Sequence, residues 1–106
     1  MTIVYSEQAR NDLHEIYEYI AYTLLSPDNA ANTVNRIMET ARSLDTMPER
    51  YPLYSDEPWQ SRGLRFVAIR NYLLFYTADS ESQTVSIIRI MYGGRDIARQ
   101  LESSEL

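Results

Sequence analysis

The sequence contains no cysteine and no lysine, and its 106 residues include only one histidine, His14. The lack of cysteine excludes disulfides, thiolate catalysis and cysteine-ligated zinc or iron–sulfur sites. One histidine cannot build a multi-histidine metal centre, so we expect neither a metal nor a cofactor. His14 falls at the edge of a predicted helix, where a surface role is favoured over that of a general base. All ten basic residues are arginine, which stays protonated and makes a poor general base.

Long hydrophobic runs and targeting signals are also missing. No apolar run approaches the ~20 residues that a membrane helix needs. The first residues, MTIVYSEQARND, do not match a secretory signal peptide. We therefore expect a cytoplasmic protein with no membrane partner. The length fits a single domain over residues 1–106, with a flexible tail at about residues 101–106.

The net charge of −5 conceals an uneven distribution along the chain. Residues 1–57 hold 4 arginines against 10 acidic residues, whereas residues 58–100 hold 6 arginines against 3 acidic residues. An acidic total argues against nucleic-acid binding. The basic second half weakens that argument.

The first half of the chain predicts a strand followed by two helices. Thr2–Tyr5 is short and β-branched, as strands are. Apolar residues recur every three or four positions over Glu7–Leu24, and a second helix begins at residues 26–28, whose Ser-Pro-Asp sequence is typical of a helix start. This helix ends before Pro48, and the short link between the helices predicts an antiparallel hairpin. Asp12 lies off the apolar face and is expected in solvent.

The second half predicts three strands. Residues 48–62 contain three prolines and no periodicity, which indicates a long surface connection with a functional or covering role. Leu64–Ile69, Tyr72–Thr77 and Val85–Tyr92 are rich in strand-forming residues, and turn residues separate them, as in an antiparallel meander. The order βααβββ predicts an α+β two-layer sandwich, in which the helical hairpin packs on a three- to four-stranded antiparallel sheet. A short helix or extended tail follows.

Arg89 interrupts the apolar last strand. In a regular strand it would share a face with Ile87 and Met91, so it either pairs with a carboxylate or faces an anion or a partner. Tyrosines interleaved with the strands either stack on nucleic-acid bases or, as is favoured, cover the rims of a small core. These tyrosines are Tyr72, Tyr76 and Tyr92.

Four segments of the sequence together resemble the RelE/ParE superfamily of toxins from bacterial type II toxin–antitoxin modules. They are VYSEQARNDLHEIYEYI, ANTVNRIMETARSLDTMPERYP, GLRFVAIRNYLLFYTADSE and, most specifically, VSIIRIMYGGRDI. The last segment is close to the ParE-like branch. The resemblance implies a helical hairpin on an antiparallel sheet. It also implies a cognate antitoxin as partner, in a hetero-oligomer.

The two branches of the superfamily differ in activity. ParE-like members inhibit DNA gyrase, whereas RelE-like members cut messenger RNA on the ribosome with lysines, arginines and a C-terminal tyrosine. In this sequence the strand arginine of the nucleases falls at Leu73, their tyrosine at about Leu101, and their lysines near Leu64 and Phe66. The resemblance therefore favours a gyrase-binding toxin over an enzyme. One alternative is a ribosome-dependent mRNA endonuclease, with the ribosome and mRNA as partners. A second alternative is a protein of this fold that poisons nothing and acts only in a complex.

The candidate site residues come from the basic second half. If the protein is a nuclease, the catalytic candidates are Arg65, Arg89, Tyr92 and Arg95. The candidates for binding a target or an antitoxin are Arg65, Arg70, Tyr72, Arg89, Tyr92 and Arg95. Among these, Arg95 matches the arginine that follows the last strand in the superfamily.

Overall fold

The computed structural model describes residues 1–94 and 96–104. The elements in chain order are β1 (Thr2–Tyr5), α1 (Glu7–Glu18) with a π-helical turn (Tyr19–Thr23), α2 (Pro27–Arg42), two short 3-10 turns (Ser43–Asp45 and Pro48–Arg50), β2 (Arg65–Ile69), β3 (Tyr72–Asp79), β4 (Thr84–Tyr92) and α3 (Ile97–Glu102). The predicted order of one strand, two helices and three strands is confirmed, and the segment after β4 contains a short helix.

The predicted α+β fold is confirmed, with one departure in the sheet. The four strands lie in the order β1-β4-β3-β2, and the pairs β2–β3 and β3–β4 are antiparallel. β1, however, runs parallel to β4, so the sheet is mixed and not wholly antiparallel. Parallel neighbours need a long connection, which the helical hairpin and the first two meander strands supply.

Local side-chain and backbone contacts explain where the first helix begins and ends. Ser6 caps α1, because its Oγ accepts a hydrogen bond from the amide of Ala9 at 3.0 Å. At the other end, Leu25 adopts a left-handed backbone with φ of 54°. The amide of Ser26 then reaches back to the carbonyl of Ile20 at 3.0 Å, as in a Schellman motif. The chain can therefore turn sharply into α2.

Two apolar clusters lie on opposite faces of the sheet. The larger cluster fills the space between the helical hairpin and the sheet, and Ile37, Leu44 and Leu74 are fully buried in it. The smaller cluster lies on the opposite face and consists of Trp59, Leu64, Phe75, Ile88, Met91 and Leu101. Residues 48–62 and α3 thus shield this second face, so the long connection has the covering role that its length predicted.

A β-bulge in β4 separates the side chains around Arg89. Phe75 pairs with Arg89 and Tyr76 pairs with Ile87, so Ile88 is an extra residue in β4. Ile87 therefore lies in the larger cluster and Met91 in the smaller one. The prediction that Arg89 shares one face with both residues is wrong, because the bulge shifts the alternation of side chains.

Candidate functional site

Arg89 joins three elements through its guanidinium group. Its Nε and Nη2 donate to the two carboxylate oxygens of Asp12 on α1, at 2.8 and 3.0 Å. Its Nη1 donates to the carbonyl of Gln100 and the hydroxyl of Ser104, at 3.3 and 3.2 Å. The side chains of Arg89 and Asp12 are only 12% and 10% exposed. Such a buried bidentate pair is a strong, geometrically specific contact, which holds α1, β4 and the C-terminal segment together.

Asp12 also closes the open edge of β4. β1 ends beside Ile87, so within residues 1–94 and 96–104 no strand pairs with β4 on that side beyond this point. There the amide of Ile90 donates to Asp12 at 2.9 Å, and the carbonyl of Ile88 accepts from the Ser6 hydroxyl at 2.7 Å. Asp12 is therefore buried by its contacts, and the prediction that it lies in solvent is wrong.

A groove of about 810 Å³ lies between the end of α1 and the end of β4. The π-helical turn and the first turn of α2 form one wall, and the β2–β3 turn and the end of β4 form the other. Four of the six predicted binding residues line this groove: Arg70, Tyr72, Arg89 and Tyr92. The structure thus brings together residues that are up to 22 positions apart in the sequence.

The tyrosine wall of the groove is built from a cross-strand pair. Tyr72 and Tyr92 face each other in the β3–β4 register, and their rings meet edge to face with centroids 6.0 Å apart. The glycine turn after β4 supports this pair, because a Cβ on Gly94 would lie 2.6 Å from the Tyr92 ring. Gly93 donates its amide to the carbonyl of Asn71 at 2.8 Å. Both glycines therefore permit a close approach that a larger residue would disturb.

Arg70 occupies a strained position at the rim of the groove. Its φ of 54° lies in the left-handed region, which is costly for residues other than glycine and asparagine. The side chain is exposed, and its Nη1 makes a long contact of 3.4 Å with Oδ1 of Asn29 on the opposite wall. Arg70 and Asn71 form the two-residue turn between β2 and β3, and turns of this length require a positive φ at the first central position.

Arg65 lies away from this groove. Its Nη1 donates to the backbone carbonyls of Tyr51 and Glu49 at 2.7 and 3.2 Å. Arg65 pairs with Tyr76 on β3, whereas the groove residue Tyr92 pairs with Tyr72 on the same strand. Tyr76 and Tyr72 are four positions apart, which corresponds to about 13 Å along β3. Of the remaining candidates, Arg95 lies outside the described residues.

Sequence reasoning missed the helical wall of the groove. Tyr19 and Leu24 line it and are 53% and 54% exposed, and Glu15 and Asn29 lie nearby. The sequence carries a signal for this wall. The run YIAYTLL at residues 19–25 is apolar on more sides than one helical face requires.

Other kinds of site find no support in residues 1–94 and 96–104. No group of three or more potential ligand side chains in this part of the chain could hold a metal ion. His14 is exposed, pairs with Glu18 on α1 and does not line the groove. None of the helices in the described segments is long and apolar enough to cross a membrane.

Comparison with solved structures identifies the class of fold. A chain of the chromosomal ParDE TA system from P. aeruginosa superposes with a TM-score of 0.70 and 21% identity, over 87% of this chain and 95% of that chain. A chain of the toxin–antitoxin complex RelBE2 from Mycobacterium tuberculosis gives a TM-score of 0.61 and 26% identity, over 86% and 88% of the two chains. The fold is that of the RelE/ParE toxin superfamily.

The family follows from the sequence model that matches the chain. This model, the ParE toxin of type II toxin–antitoxin system, parDE, covers residues 3–97. The chain therefore belongs to the ParE toxin family, as its last strand predicted. None of the curated protein sequences is detectably similar to it.

Proposed function

We propose that the protein is a toxin that binds and inhibits DNA gyrase, and that a cognate antitoxin neutralises it by binding in the groove. The observation that carries this proposal is the ParE family match over residues 3–97. The gyrase target is what the resemblance to the ParE-like branch implies. The antitoxin is supported by RelBE2, a similar structure that is a toxin–antitoxin complex.

Arg65 and Arg89 already donate hydrogen bonds within the protein, which favours protein binding over RNA cleavage. Cleavage needs a group that accepts a proton and cations that are free to contact the phosphate. Arg89 already donates to Asp12 and to two groups of the C-terminal segment, and Arg65 donates to backbone carbonyls. The chain has no lysine, and the groove is lined by no histidine among the described residues.

The composition of the groove suits a protein partner. Tyrosine and arginine are enriched among the residues that dominate binding energy at interfaces. Tyr92 is 49% exposed and Arg70 is exposed, so both are available to a partner. We propose that apolar side chains of the antitoxin pack on Tyr92, Tyr19 and Leu24, while one of its carboxylates pairs with Arg70.

The hydrogen bonds at the β4 edge favour a helix as the antitoxin segment in this groove. Addition of a strand requires free backbone groups along the edge of a sheet. Here Asp12 occupies the amide of Ile90 and Ser6 occupies the carbonyl of Ile88. An amphipathic helix needs only side-chain contacts, so it fits the groove without displacing either bond.

Purified toxin tests the proposed target. We expect it to inhibit supercoiling by gyrase and to trap cleaved DNA, and the antitoxin encoded by the adjacent reading frame should reverse both effects. Primer extension on messages in a translating lysate tests the nuclease alternative in parallel. Codon-phased cuts together with fully active gyrase would reverse the assignment.

A further inference from the structure

An exposed apolar surface lies at the tip of the helical hairpin, beside the groove. This hairpin tip consists of Tyr22, Leu24 and Leu25, which are 70%, 54% and 82% exposed. All three belong to the short segment in which α1 ends and the chain turns into α2. Clusters of exposed apolar side chains on small domains mark interaction sites.

The backbone of the hairpin tip is unfavourable for these residues. Leu25 has a φ of 54° at a position where helices normally place glycine. The preceding turn, Tyr19–Thr23, is π-helical. This conformation is rare in proteins, and where it occurs it often lies at a functional site. Neither the exposure of Leu25 nor its conformation stabilises the fold, so the leucine needs another explanation.

The helical segment around the hairpin tip is acidic, whereas the cation of Arg70 lies on the opposite wall of the groove, 3.4 Å from Asn29. Residues 11–35 contain no arginine. Three acidic residues of this segment, Glu15, Glu18 and Asp28, are exposed, whereas the charge of Asp12 is paired with Arg89. A partner that complements this surface has an apolar pocket with basic side chains around it.

We propose that the hairpin tip is the surface that docks on the toxin's protein target. This inference rests on the proposed function and adds the contact surface to it. An enzyme that acts on DNA carries cationic surfaces where phosphates bind, and such a surface complements the acidic border of the tip. Leu24 also lines the groove. An antitoxin in the groove therefore covers part of the tip, which explains how it blocks the target.

A leucine-to-glycine substitution tests the proposal without damage to the fold. Leu25→Gly removes the exposed side chain and relieves the left-handed strain, so the variant is expected to fold at least as well as the wild type. Met47→Gly is the matched control, because Met47 also has a positive φ, of 48°, and is 74% exposed. It lies beyond the other end of α2, just before the 3-10 turn Pro48–Arg50. Both variants are compared with wild type in growth arrest without antitoxin, gyrase supercoiling and antitoxin affinity.

We expect Leu25→Gly to raise the toxin concentration for half-inhibition about tenfold, which corresponds to a loss of about 1.4 kcal/mol in binding free energy. Its antitoxin affinity should stay within about threefold of wild type, and Met47→Gly should match wild type throughout. Undiminished growth arrest by Leu25→Gly, or loss of antitoxin binding with intact inhibition, overturns the proposal. If wild type arrests growth without inhibiting gyrase, the proposal that gyrase is the target is wrong. The growth-arrest comparison of Leu25→Gly with wild type still tests whether the hairpin tip binds the target.

The acidic border has a separate test. The double variant Glu18→Gln, Asp28→Asn should weaken inhibition several-fold at low salt, and the difference should shrink as salt rises, because exposed charges are screened. Equal inhibition by this variant and wild type at every salt concentration would contradict the proposal that basic side chains surround the target pocket.

Discussion

Replacing Asp12 with alanine is expected to destabilise the protein severely. The substitution removes both hydrogen bonds to the Arg89 guanidinium and the acceptor for the Ile90 amide. It also leaves the positive charge of Arg89 without its carboxylate partner, although only 12% of the Arg89 side chain is exposed to solvent. Removal of one partner from a buried ion pair costs about 3–5 kcal/mol. We therefore expect Asp12→Ala to lower the free energy of unfolding by about 4 kcal/mol, a large part of the ~5–15 kcal/mol of a small domain.

Urea denaturation followed by far-UV circular dichroism measures this loss. With an m-value of about 2 kcal/mol/M, the midpoint should fall by about 2 M. Arg89→Met should cost a similar amount, because it leaves the Asp12 carboxylate unpaired. The double variant Asp12→Ala, Arg89→Met removes both charges. It should be more stable than the sum of the losses of Asp12→Ala and Arg89→Met predicts, by about 2 kcal/mol or more. Single losses below about 1 kcal/mol, or strict additivity, would refute the interpretation of this pair as a clamp.

Three further perturbations probe the groove and the core. Gly94→Ala should displace the ring of Tyr92, which its Cβ would approach to 2.6 Å, and weaken antitoxin binding about tenfold in calorimetry. Arg70→Gly should raise the stability by about 1 kcal/mol by relieving the left-handed strain, and yet weaken antitoxin binding about tenfold through loss of the cation. Burial raises the pKa of the Tyr76 phenol above its ordinary value of 10.0. The native state then holds this proton more tightly than the unfolded chain, so the free energy of unfolding should fall as pH rises above about 10. Tyr76→Phe should lose part of that pH dependence and, without the hydrogen bond to the carbonyl of Pro48, about 1–3 kcal/mol of stability at neutral pH.

A second glycine provides the control for Gly94. Gly63 has a φ of 79° and no atom within 4 Å of an added Cβ, so Gly63→Ala should cost about 1 kcal/mol of stability through backbone strain and leave antitoxin binding unchanged. Equal effects of both substitutions on binding would contradict the role of Gly94 in supporting Tyr92. A less stable Arg70→Gly variant would show that Arg70 does not carry backbone strain. A pH profile of Tyr76→Phe identical to that of wild type would exclude Tyr76 as a source of alkaline unfolding.

Local patterns in the sequence predict most of the fold. The apolar periodicity places both helices, and the turn signals at Arg70-Asn71 and after Thr77 separate the meander strands. Contacts between distant residues escape these patterns. Asp12 lies off the apolar face of its helix and so has the spacing of a solvated residue. Its partner Arg89 is 77 positions away, so the local pattern does not reveal the contact. The bulge at Ile88 and the parallel pairing of β1 arise from strand packing, which periodicity does not encode.

The candidate site was predictable only in part for the same reason. The arginine and tyrosine composition of the second half pointed to Arg70, Tyr72, Arg89 and Tyr92, which line the groove. Arg65 has the same composition signal but lies near the far end of β2, where it binds backbone carbonyls. Residue type alone does not distinguish these positions, because the position along the sheet decides which arginines lie at the groove. The helical wall and the hairpin tip required the structure.

Supercoiling by gyrase, titrated with toxin and then with antitoxin, tests the central claim most directly. We predict that wild type inhibits the enzyme and that antitoxin restores it. Arg70→Gly should inhibit equally well but need about tenfold more antitoxin for reversal, whereas Leu25→Gly should inhibit poorly. Gyrase that remains fully active in a large excess of folded wild-type toxin would contradict the account.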